Sequence, residues 1–237
     1  MTTIRKSTFA MLAFAAVAAA GAGLWGFSDS SAGSNTGDKK AADAEGTKEM
    51  AGGSISEPVV ALVGGKAPDF KLPAVDGKSY ALKDHLAEGK VVVLEWFNPD
   101  CPVVQRYHKS SQKMAEAFKS ASGRDVAWLA INSGGPGQQG HGLERNRQAV
   151  TEYGIRYPVL LDEDGRVGKL YGAKTTPHLF IIDTAGTLIY KGSLDDRDGG
   201  GANYVLKALE ERFAGKDVTT KETQSFGCNV KYADLGT

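Results

Sequence analysis

Two cysteines are the residues whose chemistry stands out in this chain, and the first is Cys101. It follows an apolar and aromatic run at residues 91–97 and precedes Pro102 directly. The branched apolar residues predict a buried strand, and proline is favoured at the first position of a helix. The sequence therefore predicts that a strand delivers Cys101 to a helix N-cap. There the unpaired backbone N–H groups and the helix dipole favour the thiolate, the nucleophilic form.

The second cysteine, Cys228, lies 127 residues further along the chain. This separation excludes a Cys-x-x-Cys pair, so that any contact with Cys101 is tertiary or between subunits. Proteins outside the cytoplasm retain disulfides, which makes such a contact relevant if the chain is exported. The alternative for Cys101 is an inert buried cysteine at a strand end.

The elements that must position these thiols follow from apolar spacing. Helical spacing predicts one continuous amphipathic helix from Pro102 to about Ser120. Apolar runs at residues 126–132 and 179–183 predict two further buried strands, and Asp76-Gly77 predicts a hairpin turn. Early strand and helix alternation followed by a late hairpin predicts a mixed α/β sheet with helices on both faces.

Composition and the N-terminus indicate where the protein works. The 237 residues carry a formal net charge of zero, which gives no reason to expect nucleic acid as a partner. Residues 1–27 have basic residues followed by an uncharged stretch, residues 7–27, as export signals do. That stretch is either cleaved or kept as an inner-membrane anchor, and both place the protein in the periplasm or another extracytoplasmic space. Residues 28–63 are too polar to fold and are predicted to be a disordered linker.

Three motifs carry a family resemblance over residues 64–215. They are Ala-Pro-Asp-Phe at residues 67–70, Trp-Phe-Asn-Pro-Asp-Cys-Pro at residues 96–102, and Thr-Thr-Pro at residues 175–177. With them the chain resembles the thioredoxin-fold redoxins of the alkyl hydroperoxide reductase and thiol-specific antioxidant family. The resemblance implies a thioredoxin-like domain with a mixed central sheet. It also implies a cis Thr176-Pro177 bond lying against the reactive cysteine.

The chain departs from this family at three positions. Val104 stands where thioredoxin has its second cysteine, so the usual Cys-x-x-Cys dithiol cycle is not available. Peroxiredoxins have a threonine and a proline where this chain has Asn98 and Leu94. The resemblance therefore does not imply that this chain has the peroxide-activating pocket of peroxiredoxins.

The C-terminal tail, residues 216–237, resembles the second-cysteine segment of peroxiredoxin-like proteins at residues 226–232. This resemblance implies that Cys228 is the resolving thiol, which condenses with the oxidised form of Cys101. Two other roles stay open for Cys228: a static disulfide that fixes the tail to the domain, and an unpaired thiol.

These residues predict an exported thiol-dependent oxidoreductase in which Cys101 is the nucleophile and Pro177 shapes the groove. Its substrate is a peroxide or a disulfide, a thiol reductant regenerates it, and we expect neither cofactor nor metal. The alternative is a non-catalytic redoxin-fold binding module with a structural Cys101–Cys228 disulfide. The sequence leaves the oligomeric state open.

Four other polar residues have predicted positions. His108 lies about 10 Å along the helix from Cys101 and is predicted to be a surface residue. His178, next to Pro177, is a candidate neighbour of the thiol, and Arg145 is placed to reach the thiolate from the loop at residues 133–142. Asp198 is predicted to lie close to the capping position of the last helix.

Overall fold

The computed structural model describes residues 60–196 and 201–233. The predicted export signal, most of the predicted linker and Asp198 lie outside these residues. Within the described ranges no helix is both long enough and apolar enough to cross a membrane. The last helix takes Asn203 as its N-cap, and the Asn203 side chain accepts from Leu206 N–H at 3.0 Å.

In chain order the elements are β1 (Lys71–Pro73), β2 (Ser79–Ala81), α1 (Leu82–Ala87), β3 (Val91–Trp96), α2 (Pro102–Gln105), α3 (Lys113–Ala121), β4 (Val126–Asn132), α4 (Leu143–Glu152), β5 (Val159–Leu161), α5 (Arg166–Tyr171), β6 (Thr175–Thr176), β7 (His178–Ile182), β8 (Leu188–Gly192), α6 (Tyr204–Phe213) and β9 (Cys228–Asn229). Five of the strands form a central sheet in the order β5-β4-β3-β7-β8. Strand β3 is parallel to β4 and antiparallel to β7, so the predicted mixed sheet is confirmed.

Strand β3 lies in the middle of the sheet and is buried on both faces. Val91 and Val93 point into one core cluster, whereas Val92 and Leu94 point into the other. The first cluster is covered by α2, α3, α4 and α6, and the second by α1 and α5. Helices therefore lie on both faces, as predicted. Burying each of these side chains stabilises the fold by about 1.5–3 kcal/mol, which fixes the strand that leads to Cys101.

The predicted continuous helix from Pro102 to Ser120 is wrong. Helix α2 ends after one turn and continues as a π-helical turn, Arg106–Ser110, in which Ser111 N–H donates to the Arg106 carbonyl at 2.8 Å. Gln112 then adopts a left-handed conformation, φ 53°, before α3 begins. The wide turn lets the adjacent side chains of Tyr107 and His108 each reach a buried acidic partner. The spacing of apolar residues cannot predict such polar contacts, and so it did not predict the break in the helix.

The described residues before 64 and after 215, the predicted bounds of the domain, also pack against it. Ala61 is buried, and its N–H donates to the Leu170 carbonyl at 2.8 Å. At the other end Val218 is buried, and the short strand β9 pairs antiparallel with β6. The C-terminal segment thus lies along the residues that precede Pro177.

Candidate active site

Cys101 occupies the N-cap of α2, as predicted, with Pro102 at the first helical position. The loop before it is a tight turn. Asn98 Oδ1 accepts from Asp100 N–H at 2.9 Å, and Cys101 N–H donates to the Asn98 carbonyl at 3.1 Å. The Cys101 side chain is completely buried, with 0% exposure.

The two cysteines meet although 127 residues separate them. Both are free thiols, and the distance between Cys101 Sγ and Cys228 Sγ is 2.8 Å. Cys101 Sγ also lies 3.0 Å from the carbonyl oxygen of Thr176, to which the protonated thiol donates. The Thr176-Pro177 bond is cis, which confirms that prediction. Three of the predicted positions, Cys101, Cys228 and the loop at Pro177, therefore form one site.

Hydrogen bonding separates the acidities of the two thiols. Burial alone would raise the pKa of Cys101, but hydrogen bonds from Cys228, the Thr176 side chain and the Val104 N–H outweigh it, so that the pKa is lowered. Burial and the hydrogen bond to Cys101 raise the pKa of Cys228 to about 11. Cys101 is therefore the more acidic of the two thiols.

Backbone pairing brings Cys228 to this position. In the β6–β9 ladder Thr176 lies opposite Cys228. The pairing continues beyond the strands, because Val230 N–H donates to the Lys174 carbonyl at 3.0 Å. Gly227 passes so close to Thr176 that a Cβ atom there would lie 2.1 Å from the Thr176 carbonyl oxygen. Only glycine fits this approach without displacing β9.

A second set of contacts holds the loop before Cys101. The Pro99 carbonyl accepts from Tyr153 Oη–H at 2.5 Å and from Gln105 Nε2–H at 3.1 Å. Arg145 Nε–H donates to Asp100 Oδ1 at 2.8 Å. The structure thus places Arg145 on the neighbouring carboxylate, and no described hydrogen bond joins it to the sulfur. Arg145 therefore fixes the loop that carries Cys101.

The two histidines differ from the predictions. His178 lies in β7 with its Nδ1 facing the Lys174 N–H at 3.4 Å, and burial lowers its pKa to about 3, with Lys191 and Lys174 contributing. It is therefore neutral, and no described hydrogen bond joins it to either sulfur. His108, predicted at the surface, is buried because its Nε2 lies 2.8 Å from Glu95 Oε1 on the central strand.

Glu95 was not among the residues predicted from the sequence. It is completely buried on β3, and Tyr157 Oη–H donates to its Oε2 at 2.7 Å. The signal that could have found it is a charged residue inside an apolar run, since a buried carboxylate requires hydrogen-bonding partners. In the described part of the chain no three His, Cys, Asp or Glu residues are grouped so as to hold a metal ion.

Residues 63–191 match the AhpC/TSA family, and the chain therefore belongs to it. With its thioredoxin-like fold and its pair of thiols, the protein is a thiol-dependent oxidoreductase. Among curated proteins it is similar to the thiol-disulfide oxidoreductase ResA of Geobacillus thermodenitrificans (strain NG80-2). The two are 28% identical over 147 residues, which cover 61% of this chain and 78% of that protein.

Two further proteins are similar to this chain. The protein named thiol-disulfide oxidoreductase ResA in Bacillus subtilis (strain 168) is 29% identical, over 57% of this chain and 66% of the relative. Among solved structures, a hypothetical protein from Sinorhizobium meliloti 1021 is 31% identical with a TM-score of 0.63, covering 73% of this chain and 96% of that chain. The likeness to that structure thus extends over nearly its whole length.

Proposed function

We propose that this protein is an exported thiol-disulfide oxidoreductase in which Cys101 is the nucleophile and Cys228 the resolving thiol. The observation that carries the proposal is the pair of free thiols at 2.8 Å whose pKa values are shifted in opposite directions. A disulfide substrate is supported by the names of relatives at 28% and 29% identity. Export is supported by the signal-like pattern of residues 1–27.

The reaction requires two exchanges. The Cys101 thiolate attacks one sulfur of the substrate disulfide, forms a mixed disulfide and releases the other sulfur as a thiolate. Cys228 then loses its proton and attacks Cys101 Sγ, which releases the second substrate thiol. The substrate gains two electrons, its two sulfurs take up the proton of Cys228 and one proton from water, and the Cys101–Cys228 pair becomes a disulfide. A thiol reductant returns the pair to its reduced form.

The tail controls access to the nucleophile in this scheme. Cys101 is completely buried, whereas Cys228 is partly exposed and lies over it. A substrate disulfide therefore reaches Cys101 Sγ only when the segment that carries Cys228 moves aside. We assign Pro177 a shaping role, since the Thr176 carbonyl before it contacts both Cys101 Sγ and Gly227.

Hydrogen peroxide is the second candidate oxidant for the same pair. The Cys101 thiolate would become a sulfenic acid, and condensation with Cys228 would give the same disulfide and water. The position that holds threonine in peroxiredoxins is Asn98, whose side chain is already bonded to Asp100 N–H and the Gln139 carbonyl. Because Asn98 is committed to the loop, a disulfide is the favoured substrate.

The test is the mass of the intact, reduced full chain after one equivalent of oxidised glutathione, with hydrogen peroxide in a parallel sample. We expect glutathione disulfide to remove about two mass units, as two thiols become one disulfide. Cys101→Ser should abolish this loss, and Cys228→Ser should accumulate a glutathione adduct on Cys101.

The other outcomes identify the alternatives. A rapid reaction with peroxide alone would indicate a peroxidase. If neither oxidant reacted while a partner still bound Cys101→Ser, the protein would be a non-catalytic binding module, and the proposal would be wrong.

A further inference from the structure

A cavity of about 570 Å³ lies apart from the two cysteines, and we call it the α3 cavity. It is bounded by the π-helical turn, by α3 and by the segment between α4 and β5. Its lining includes neither cysteine nor Pro177. The volume falls within the range of about 300–1,000 Å³ that is typical of small-molecule sites.

The backbone is unusual on one side of this cavity. The π-helical turn that contains His108 and the left-handed Gln112 adjoin each other there, and both residues line the cavity. π-helical turns and left-handed residues other than glycine are uncommon and occur frequently at functional sites. The Gln112 side chain forms no hydrogen bond with any residue in the described ranges, so its amide is available to a ligand.

A buried acid holds the floor of the cavity in place. His108 and Tyr157 line the cavity. Glu95 Oε1 lies 2.8 Å from His108 Nε2, and Glu95 Oε2 accepts from Tyr157 Oη–H at 2.7 Å. Rings of Tyr153 and Phe118 form the walls, with Phe118 and Tyr157 at a centroid distance of 4.9 Å and His108 and Tyr153 at 5.9 Å. These rings pack against one another and give the cavity an aromatic lining, on which the ring of a ligand can pack edge-to-face or offset.

The rim of the cavity is more basic than acidic. Lys119 and Arg156 line it and are exposed, and neither forms an ion pair or side-chain hydrogen bond within the described ranges. Glu116 is the only acidic residue of the lining. A guanidinium group binds a carboxylate through two parallel hydrogen bonds, so that Arg156 favours an anionic group at the mouth.

We propose that the α3 cavity binds a planar aromatic carboxylate. The ring packs against Tyr153 and Phe118, and the carboxylate lies at the rim beside Arg156 and Lys119. The cavity is separate from the two thiols, although its Tyr153 wall also donates to the Pro99 carbonyl in the loop before Cys101.

The test is a calorimetric titration of the reduced full chain with 2-naphthoate. We expect saturable binding of one molecule per chain. Ala115 is exposed on α3 and lines the cavity, so Ala115→Phe should fill the space and weaken binding by at least about tenfold. Ser120→Phe, on the same helix but outside the lining, is the matched control and should bind as the parent does.

The class of ligand is tested with charge variants and a neutral analogue. Arg156→Gln combined with Lys119→Gln should weaken 2-naphthoate binding by about tenfold. 2-Naphthalenemethanol, which has the ring but no charge, should bind the parent protein weakly. Lack of saturable binding by about 1 mM 2-naphthoate, or binding unchanged in Ala115→Phe, would overturn the site. Equal affinity for the neutral alcohol would overturn the carboxylate assignment.

Discussion

At Cys101 hydrogen bonds stabilise the thiolate without help from bulk water. The sulfur is buried, which by itself disfavours the charged form, and donors from Cys228, Thr176 and Val104 reverse that effect. The largest lowering contribution comes from Cys228, whose own pKa is raised to about 11. In the proposed reaction Cys228 therefore lowers the pKa of Cys101 before it acts as the resolving thiol.

A pair of substitutions at Cys228 tests this tuning. Serine and alanine differ by one hydroxyl group, and only serine keeps a donor for the Cys101 thiolate. We expect the pKa of Cys101 to be higher in Cys228→Ala than in Cys228→Ser, so that alkylation of Cys101 near neutral pH is slower in the alanine variant. The ultraviolet absorbance of the thiolate, followed against pH, measures the difference. Coincident titration curves for the two variants would contradict the role assigned to Cys228.

The burial of Glu95 leads to a prediction about the free energy of unfolding. His108→Phe keeps a ring against Phe97 but leaves one carboxylate oxygen of Glu95 without its partner. Removing one member of a buried pair costs about 3 kcal/mol in the free energy of unfolding, measured by denaturant titration. Tyr157→Phe removes a single hydrogen bond to the same carboxylate and should cost less, about 1–2 kcal/mol. An equal or smaller loss for His108→Phe would show that the His108–Glu95 contact contributes little.

Among the elements, those determined by local chemistry were predictable from the sequence. The strand β3, the N-cap at Cys101 and the Asp76-Gly77 hairpin each follow from neighbouring residues. The break at residues 106–112 does not, because it depends on Asp195 and Glu95, which come from other parts of the chain. The Arg145 contact with Asp100 was missed for the same reason.

The turn before Cys101 depends on Gly140. Its φ is 78°, and a Cβ atom there would lie 2.1 Å from Asn98 Oδ1, the atom that holds Asp100. Gly140→Ala should therefore displace Asn98 and slow the reaction of Cys101 with oxidised glutathione, besides costing stability. Gly137→Ala is the matched control, since Gly137 has a φ of 76° but no atom within 4 Å of the added Cβ. It should lose only about 1 kcal/mol and react at the parent rate.

The short strand β9 gives a second prediction at this scale. Gly227→Ala should push the tail away from the Thr176 carbonyl and slow formation of the Cys101–Cys228 disulfide by at least about tenfold, while Cys101 still forms adducts. Gly215→Ala, whose φ is 69° and whose Cβ would meet nothing within 4 Å, is the control. Mass spectrometry of quenched samples follows both species. If the Cys101–Cys228 disulfide formed as fast in Gly227→Ala as in the parent protein, β9 pairing would not be what positions Cys228.

At the scale of the whole molecule, the contact between the two thiols joins regions that are far apart in the chain. The contact between the thiols could not be derived from their spacing, and only the family resemblance of residues 226–232 pointed to it. The structure supplies the reason: Cys228 reaches the site through a strand pairing that involves the residues before Pro177. Pairing between such short, distant strands leaves no periodic pattern in either segment.

A disulfide between Cys101 and Cys228 should make stability depend on oxidation. It would close a 127-residue loop, and restricting the unfolded chain in this way raises the free energy of unfolding by about 4–5 kcal/mol in the chain-entropy treatment. Denaturant titrations of the oxidised and reduced protein measure the difference. Cys101→Ser should give the same unfolding midpoint under both conditions. A parent protein with equal midpoints would show that the loop closure does not stabilise the native state.

The β6–β9 pairing also has a consequence for electron transfer. In a Cys-x-x-Cys site both sulfurs belong to one helical turn, and their proximity is fixed by covalent structure. In this protein the proximity is an equilibrium property, because the tail must remain docked for Cys228 to meet Cys101. Each 1.4 kcal/mol of docking free energy in the reduced state shifts the midpoint potential of the pair by about 30 mV. Substitutions along the tail can therefore adjust the redox potential of the pair without altering Cys101 or the loop that carries it.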